Sequence, residues 1–191
     1  MGSKTAHDPN VVEAFIEIPT GSRNKYEWDE ERKCMRLDRV LYASVHYPTD
    51  YGFVPETLAP DGDALDILVL TEDSIYPGCL VETRPIGIMH MRDSGDDDMK
   101  IVSVVVSDPR QAEVTDLAHV AASRLREIEH FFSTYKDLEG KKTEITGWDG
   151  RDVALKVVQE CRDAFSQKQQ AGAEPEPRPQ DEQTRAEQQT A

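Results

Sequence analysis

Residues 61–70 run DGDALDILVL. The closing ILVL is apolar and strand-sized, so the hexapeptide before it brings three carboxylates, Asp61, Asp63 and Asp66, to the mouth of a predicted strand. Like charges at ~4 Å in an effective dielectric near 20 repel by about 4 kcal/mol per pair, so something positive belongs beside them. Hard oxygen donors at this density suit Mg2+, Mn2+ or Ca2+ rather than zinc, which prefers His and Cys. A solvated acidic turn is the plain alternative, and the hexapeptide alone does not choose. Two named motifs fail. In an EF-hand count Leu65 takes a ligand position and Asp66 replaces the turn glycine. A D-x-D nucleophile would follow a hydrophobic strand, whereas TLAP comes before this one.

Outward from there, residues 11–107 read as strands and turns. VVEAFIEIP (11–19) partly alternates, IVSVVV (101–106) is a β-rich run, and Pro77-Gly78 marks a turn before CLVETRPIGIMHM (79–91). Helical spacing follows. Val114, Leu117, Ala118, Ala121, Leu125, Ile128 and Phe132 form one apolar stripe, and Val153, Ala154, Val157, Val158, Cys161, Ala164 and Phe165 form another. Strands followed by helices indicate an α+β domain with a twisted or closed antiparallel sheet. Cys161 reads as a core thiol. From Ser166 to Ala191 no Val, Ile, Leu or aromatic residue occurs, so 166–191 is expected to be a disordered tail and 10–165 the folded domain.

With 22 Lys plus Arg against 37 Asp plus Glu, the net charge is −15, and no basic stripe interrupts it. Such a surface repels polyphosphate backbones and acidic membranes, so neither nucleic acid nor membrane is an expected partner. The three cysteines form no C-x-x-C pair and leave an odd count, which favours a reducing compartment. The N-terminus MGSKTAHDPN lacks the apolar run of a signal peptide. A soluble, cytoplasmic protein is expected.

A second acidic cluster, RDSGDDDMK (92–100), places Asp93, Asp96, Asp97 and Asp98 around a glycine-containing turn and ends in Lys100. Lys25, Arg39 and Lys136 have the opposite sign and could meet phosphate oxygens. No Walker A loop and no G-x-G-x-x-G occurs. Acidic metal candidates with scattered cations fit metal-assisted chemistry on a small, highly charged phosphate. A non-catalytic divalent-ion module would not need the three cations, and an OB-like nucleic-acid binder would want a basic groove.

Five ordered blocks carry a resemblance: IEIPTGSRNKYEWD (16–29), LDRVLYASVHYPTDYGFVPETL (37–58), DGDALDILVL, RPIGIMHMRDSGDDDMK (84–100) and HFFSTYKDLEGKK (130–142). In order and spacing the chain resembles the soluble family I inorganic pyrophosphatases over about residues 11–165, and most of all their short bacterial members. The resemblance implies an OB-like twisted antiparallel β-barrel with two main helices packed against it. It also implies Mg2+-dependent hydrolysis of pyrophosphate to two orthophosphates by direct attack of a metal-activated water, in a homohexamer. Mn2+ is the implied substitute, and Ca2+, with its larger and looser shell, the implied inhibitor.

The residue roles follow from the same resemblance. Asp61, Asp66 and Asp98 would hold a first Mg2+, with Asp66 reaching a second; Asp93 and Asp98 would hold an ion carried in with substrate. Glu17 and Glu27 would act on metals directly or through water. Lys25, Arg39, Tyr51, Tyr135 and Lys136 would grip the two phosphoryl groups, with Tyr47 nearby. Asp63 would accept the proton of the attacking water, a role that Asp98 holds in some descriptions of the family; a carboxylate tied to two metals is the poorer base. Ala64 stands where the family usually has Pro or Glu, which loosens the turn without removing a carboxylate. Read from the residues alone, Tyr47 and Tyr51 are core aromatics with a satisfied hydroxyl ahead of phosphate ligands. His46, His90, His119 and His130 lack metal-ligand spacing, and Trp148 reads as packing.

Overall fold

The computed structural model describes residues 8–173. Strand β1 (Val12–Ile18) buries Val12, Ala14 and Ile16 in one apolar cluster and turns Phe15 and Glu17 away from it, the two-residue period of a half-buried strand, while Ile18, past a register shift, is buried in the other cluster. It pairs on one side with β4 (Asp50–Phe53), which continues through β5 (Asp66–Leu70) and β7 (Asp96–Val105) to β6 (Leu80–Asp93). A further pairing of β1 with β6 closes the ring. The five barrel strands therefore run in spatial order first, second, third, fifth, fourth, first, the closed Greek-key arrangement of an OB-like barrel. All these pairings are antiparallel except β5 with β7, which run parallel from Asp66 opposite Lys100 to Leu70 opposite Val104. That one parallel contact qualifies the expected antiparallel sheet. Strand β8 (Thr143–Gly150) adds to the outer edge of β6, and β2 (Asn24–Asp29) with β3 (Cys34–Val40) forms a separate two-stranded sheet.

Two local features fix this closure. A Cβ on Gly52 would lie 1.9 Å from the carbonyl oxygen of Phe15, so β4 crosses β1 only because position 52 has no side chain. The β6–β7 hairpin turns at Ser94 and Gly95, both with positive φ (56° and 105°), the backbone that matches the twist of the flanking strands.

The apolar residues divide by strand parity. Leu68 and Leu70 of β5, Met89 and Met91 of β6, and Val102 and Val104 of β7 join Ile128, Phe131 and Phe132 in one buried cluster. Ile67, Val69, Ile88 and Ile101 join Ala154, Val157, Val158 and Cys161 in the other. Helix α1 (Ala122–Thr134) thus covers one set and α2 (Arg151–Ala173) the other.

Both helices differ from their expected bounds. The stripe from Val114 is not one helix. Asp108 and Asp116 cap short 3-10 turns at Pro109–Gln111 and Leu117–His119, accepting from the N–H groups of Arg110 and Ala118. Val120 and Ala121 are then extended, so α1 starts at Ala122 while Val114 and Leu117 pack on the core from the turns. At the other end α2 runs past Phe165 to Ala173, so the boundary at 165 falls inside a helix. Its last stretch, SQKQQAGA, lacks Val, Ile, Leu and aromatic residues but is made largely of the helix formers Gln, Ala and Lys. The remainder of the expected tail, 174–191, lies outside the described residues.

Candidate active site

The parity that sorts the core also builds a polar floor. On β7, Asp98 and Lys100 share the face of Val102 and Val104; Asp93 on β6 and Asp66 on β5 share it by register, Asp66 opposite Lys100 and Asp93 opposite Asp96. Asp97 points the other way and pairs with Arg92. Lys100 is 1% exposed, and its Nζ lies 2.5 Å from Asp66 Oδ2 and 2.7 Å from Asp98 Oδ1. Within the acidic hexapeptide, Asp66 therefore meets its positive charge in this lysine. Burial acts to lower its pKa, but the two carboxylates outweigh burial and hold it above the ordinary lysine value.

Asp61 and Asp63 reach the same cleft from the loop before β5. The loop is held by a chain of short contacts. The Thr57 hydroxyl donates to the Val54 carbonyl (2.6 Å) and accepts from the Leu65 N–H (2.9 Å), and the Ala59 N–H donates to the Asp63 carbonyl (2.8 Å). The Asp63 N–H donates to Asp61 Oδ1 (3.1 Å), and the Leu58 N–H reaches across to the Cys161 carbonyl of α2 (2.9 Å). These bonds fix a turn in which Ala64 supplies no rigidity of its own. Both carboxylates remain exposed.

The other side comes from β1 and the β2–β3 hairpin. Glu17 accepts from the Trp28 N–H at 2.7 Å, and Phe15 meets Trp28 edge-on with centroids 5.3 Å apart, which seats the hairpin on the barrel. Burial, reinforced by the nearby Asp66 carboxylate and opposed by the Trp28 N–H, pushes the Glu17 carboxyl up to about 7. Lys25 forms an ion pair with Glu27 two residues on. Tyr135 and Lys136 follow the end of α1, and Lys136 pairs with Asp93. Burial would raise Asp93, but the Lys136 ammonium wins and lowers it. Asp98 moves upward, chiefly by burial, with Lys100 opposing and Asp66 adding. The Tyr51 hydroxyl donates to Asp66; burial and then the neighbouring carboxylates hold Tyr51 and Tyr135 well above the usual phenol range, so both serve as donors.

Together these groups line one cleft of about 550 Å³ that includes Glu17, Lys25, Glu27, Tyr51, Asp61, Asp63, Asp66, Asp93, Asp98, Tyr135 and Lys136. The exception among the expected residues is Arg39. It is not part of that lining: its Nη1 donates to Asp38 (2.7 Å) and its Nε to Glu139 (3.2 Å). Lys100 and Glu30 are charged residues of the cleft to which the sequence reading gave no role, and Trp28 and Phe53 are its apolar additions. Tyr47 is a core aromatic, 2% exposed, with its ring 5.6 Å from that of Tyr51 and 4.8 Å from that of Phe131.

The donor set is all hard oxygen, the chemistry that Mg2+ or Mn2+ takes. Among the described residues no three acidic groups converge as a ready ligand set. The ion pairs give the reason: Glu27, Asp93, and Asp66 with Asp98 are each turned towards a lysine, Lys25, Lys136 and Lys100 respectively. Lysines among carboxylates are the complement of a divalent cation plus a phosphate anion, each of which would take one half of these pairs.

A family model for inorganic pyrophosphatase matches residues 14–166. The chain is 53% identical over 156 residues to the inorganic pyrophosphatase of Geobacillus stearothermophilus, a match covering 82% of this chain and 94% of that protein. It is 46% identical over 158 residues to that of Methanosarcina acetivorans, covering 83% and 94%. Among solved structures, the inorganic pyrophosphatase from Thermus thermophilus superposes with a TM-score of 0.82 at 43% identity, over 85% of this chain and 95% of that one. The enzyme from Helicobacter pylori gives 0.81 at 36%, over 87% and 99%.

Proposed function

Because the chain belongs to the inorganic pyrophosphatase family, we propose that its cleft hydrolyses inorganic pyrophosphate to two orthophosphates with Mg2+ as the resident cation. The observation that carries this reading is the alternation of carboxylates and lysines around one cleft, with Lys100 buried between Asp66 and Asp98. Asp61, Asp66, Asp93 and Asp98, with Glu17 and Glu27, are the groups that would hold Mg2+. When bound, Mg2+ supplies charge neutralisation at the phosphoryl oxygens and lowers the pKa of the water in its shell.

The chain's own residues do the rest. Lys25, Lys136 and Arg39, with the phenol donors of Tyr51 and Tyr135, bind the two phosphoryl groups and hold the leaving phosphate as negative charge moves onto its oxygen. Asp63 takes the proton of the attacking water. It is exposed, whereas Asp66 and Asp98 are already engaged by Lys100, and this favours Asp63 over Asp98 as the acceptor. The three cysteines carry free thiols, in keeping with a cytoplasmic enzyme. Among the described residues no helix is long and apolar enough to cross a membrane. A homohexamer is the assembly that the resemblance to short bacterial members carries, and sedimentation analysis tests it.

The direct test is phosphate release from pyrophosphate. Mg2+ should support turnover, Mn2+ should substitute and Ca2+ should inhibit, because its larger shell does not hold the compact geometry that Mg2+ selects. Undiminished hydrolysis in excess EDTA would remove the metal-assisted reading.

A further inference from the structure

Lys25, Glu27 and Arg39 all stand on the β2–β3 hairpin, a two-stranded sheet of its own beside the barrel. Two strands alone are marginally stable, so the hairpin's position is set by what holds it from outside. Its base is tied by backbone bonds, Leu41 N–H to the Arg23 carbonyl (2.8 Å) and Tyr47 N–H to the Ser22 carbonyl (2.9 Å). On β2 the Glu17 carboxylate holds Trp28. On β3, among the described residues, a single side-chain bond leaves the hairpin: Arg39 Nε to Glu139 Oε1 at 3.2 Å, across 100 residues of sequence.

Glu139 is placed for that task. Its side chain is 10% exposed, and it ends the 3-10 turn Asp137–Glu139 that directly follows Tyr135 and Lys136. Gly140, at φ 72°, stops that turn in a left-handed conformation. Arg39 is the cross-strand partner of Lys25, and the register slips at Asp38, the kind of bulge that re-aims neighbouring side chains. Bonds to Asp38 and Glu139 use Nη1 and Nε, which fixes the plane of the guanidinium while leaving other donors of its fork available.

We propose that Glu139 is a positioning residue for pyrophosphate binding: through Arg39 it locks the β2–β3 hairpin to the Tyr135–Lys136 segment and so sets the spacing of the cations that grip the two phosphoryl ends. This rests on the reading that Arg39 binds substrate. Glu139 itself touches no substrate. Misplacement of a binding group by about 1 Å is enough to cost binding or rate severely, and a hairpin without this tie has that freedom.

Steady-state kinetics on full-length Glu139→Ala, Glu139→Gln, Arg39→Ala and the Arg39→Ala/Glu139→Ala pair, with melting temperatures alongside, test it. The expected result is that Glu139→Ala raises KM for Mg-pyrophosphate by about tenfold with a much smaller change in kcat. Glu139→Gln, whose amide oxygen still accepts from Nε, should stay within about threefold of the parent. In the double variant the Glu139 change should add nothing to the effect of Arg39→Ala, because the tie has already gone. If Arg39→Ala raises KM but Glu139→Ala leaves it unchanged, the positioning role is wrong and Arg39's binding role stands. If Arg39→Ala itself has no effect on KM, the binding role fails and takes the proposal with it. A fall in KM for Glu139→Ala would show a carboxylate that only repels substrate, which also overturns the proposal. Should Glu139→Ala not fold, Glu139→Asp, one methylene shorter, takes its place with the same expectation and the same refutation.

Discussion

Replacing Lys100 with methionine keeps most of the side chain's bulk and deletes its charge. The ammonium lies 2.5 Å from Asp66 and 2.7 Å from Asp98, and 5.4 and 5.5 Å from the ring centroids of Tyr51 and Phe132. Without it two largely covered carboxylates face each other. At about 4 Å and an effective dielectric near 20 their repulsion is about 4 kcal/mol, within the ~3–5 kcal/mol seen when one partner of a buried ion pair is removed. For a domain of this size each kcal/mol shifts Tm by about 2–4 °C, so metal-free Lys100→Met should melt roughly 8–16 °C below the parent. Calorimetric melts in EDTA measure that deficit. In saturating Mg2+ a divalent charge replaces what the lysine supplied, and the deficit should shrink to less than half. An equal deficit in EDTA and in Mg2+ would mean that Lys100 contributes packing rather than charge, and no deficit in EDTA would mean that the triad contributes nothing to the fold; either result refutes the electrostatic account of the floor.

Three further outcomes are expected. Asp66→Asn should lose both turnover and the Mg2+-induced stabilisation, about 2.7 kcal/mol at a hundredfold excess over Kd, whereas Asp63→Asn should lower kcat and keep that stabilisation; paired melts and phosphate-release kinetics decide, and an Asp66→Asn protein with both intact would sink the assignment. Glu17, with its folded pKa raised from 4.5 to about 7, holds its proton in the folded state where the unfolded chain has lost it, so metal-free stability should fall as pH rises from about 4.5 to 7, by at most about 3 kcal/mol. Urea titrations in EDTA across that window should show the fall in the parent and its absence in Glu17→Gln. A chain ending at Ala173 should match the full chain in activity, while one ending at Phe165 should melt lower and turn over more slowly. The second cut removes Lys168 and Gln169, which with Phe165 wall a cavity of about 680 Å³ behind Gly62, Asp63 and Ala64; identical kinetics for the two truncations would show that this wall is idle.

Period and spacing made much of this legible in the sequence. The strand character of DILVL and IVSVVV, the α2 stripe and the acidic loop at a strand mouth are local properties, and the structure has them where those rules put them, except that Val153 at the head of the stripe is exposed while Ala154, Val157, Val158 and Cys161 are buried. Lys100 was hidden because a lysine after DDDM reads as the solvated end of a hairpin. What buries it is strand parity: Lys100 shares a face with Val102 and Val104, so it points the way the core points. The same parity separates Asp98, which faces the cleft, from Asp97, which does not. Arg39 could not be placed from sequence, since its partner Glu139 lies 100 residues away. The start of α1 was obscured because apolar residues on capped turns, Val114 and Leu117, fall by chance on the helical period that begins in earnest at Ala122.

The bond from the Leu58 amide to the Cys161 carbonyl has a consequence for the order in which the protein comes into being. Asp61 and Asp63 are synthesised about a hundred residues before the anchor of their loop, which at ribosomal speeds of 5–20 residues per second is a delay of roughly 5–20 s. The last barrel strand is complete at Val105, well before that interval ends, so a nascent chain can close its sheet while the carboxylate loop has its local bonds but not yet the one to α2. Ribosome-stalled chains should therefore resist protease across the barrel yet release no phosphate until the stall point lets α2 leave the exit tunnel. Turnover before that point would show that the loop finds its shape without α2.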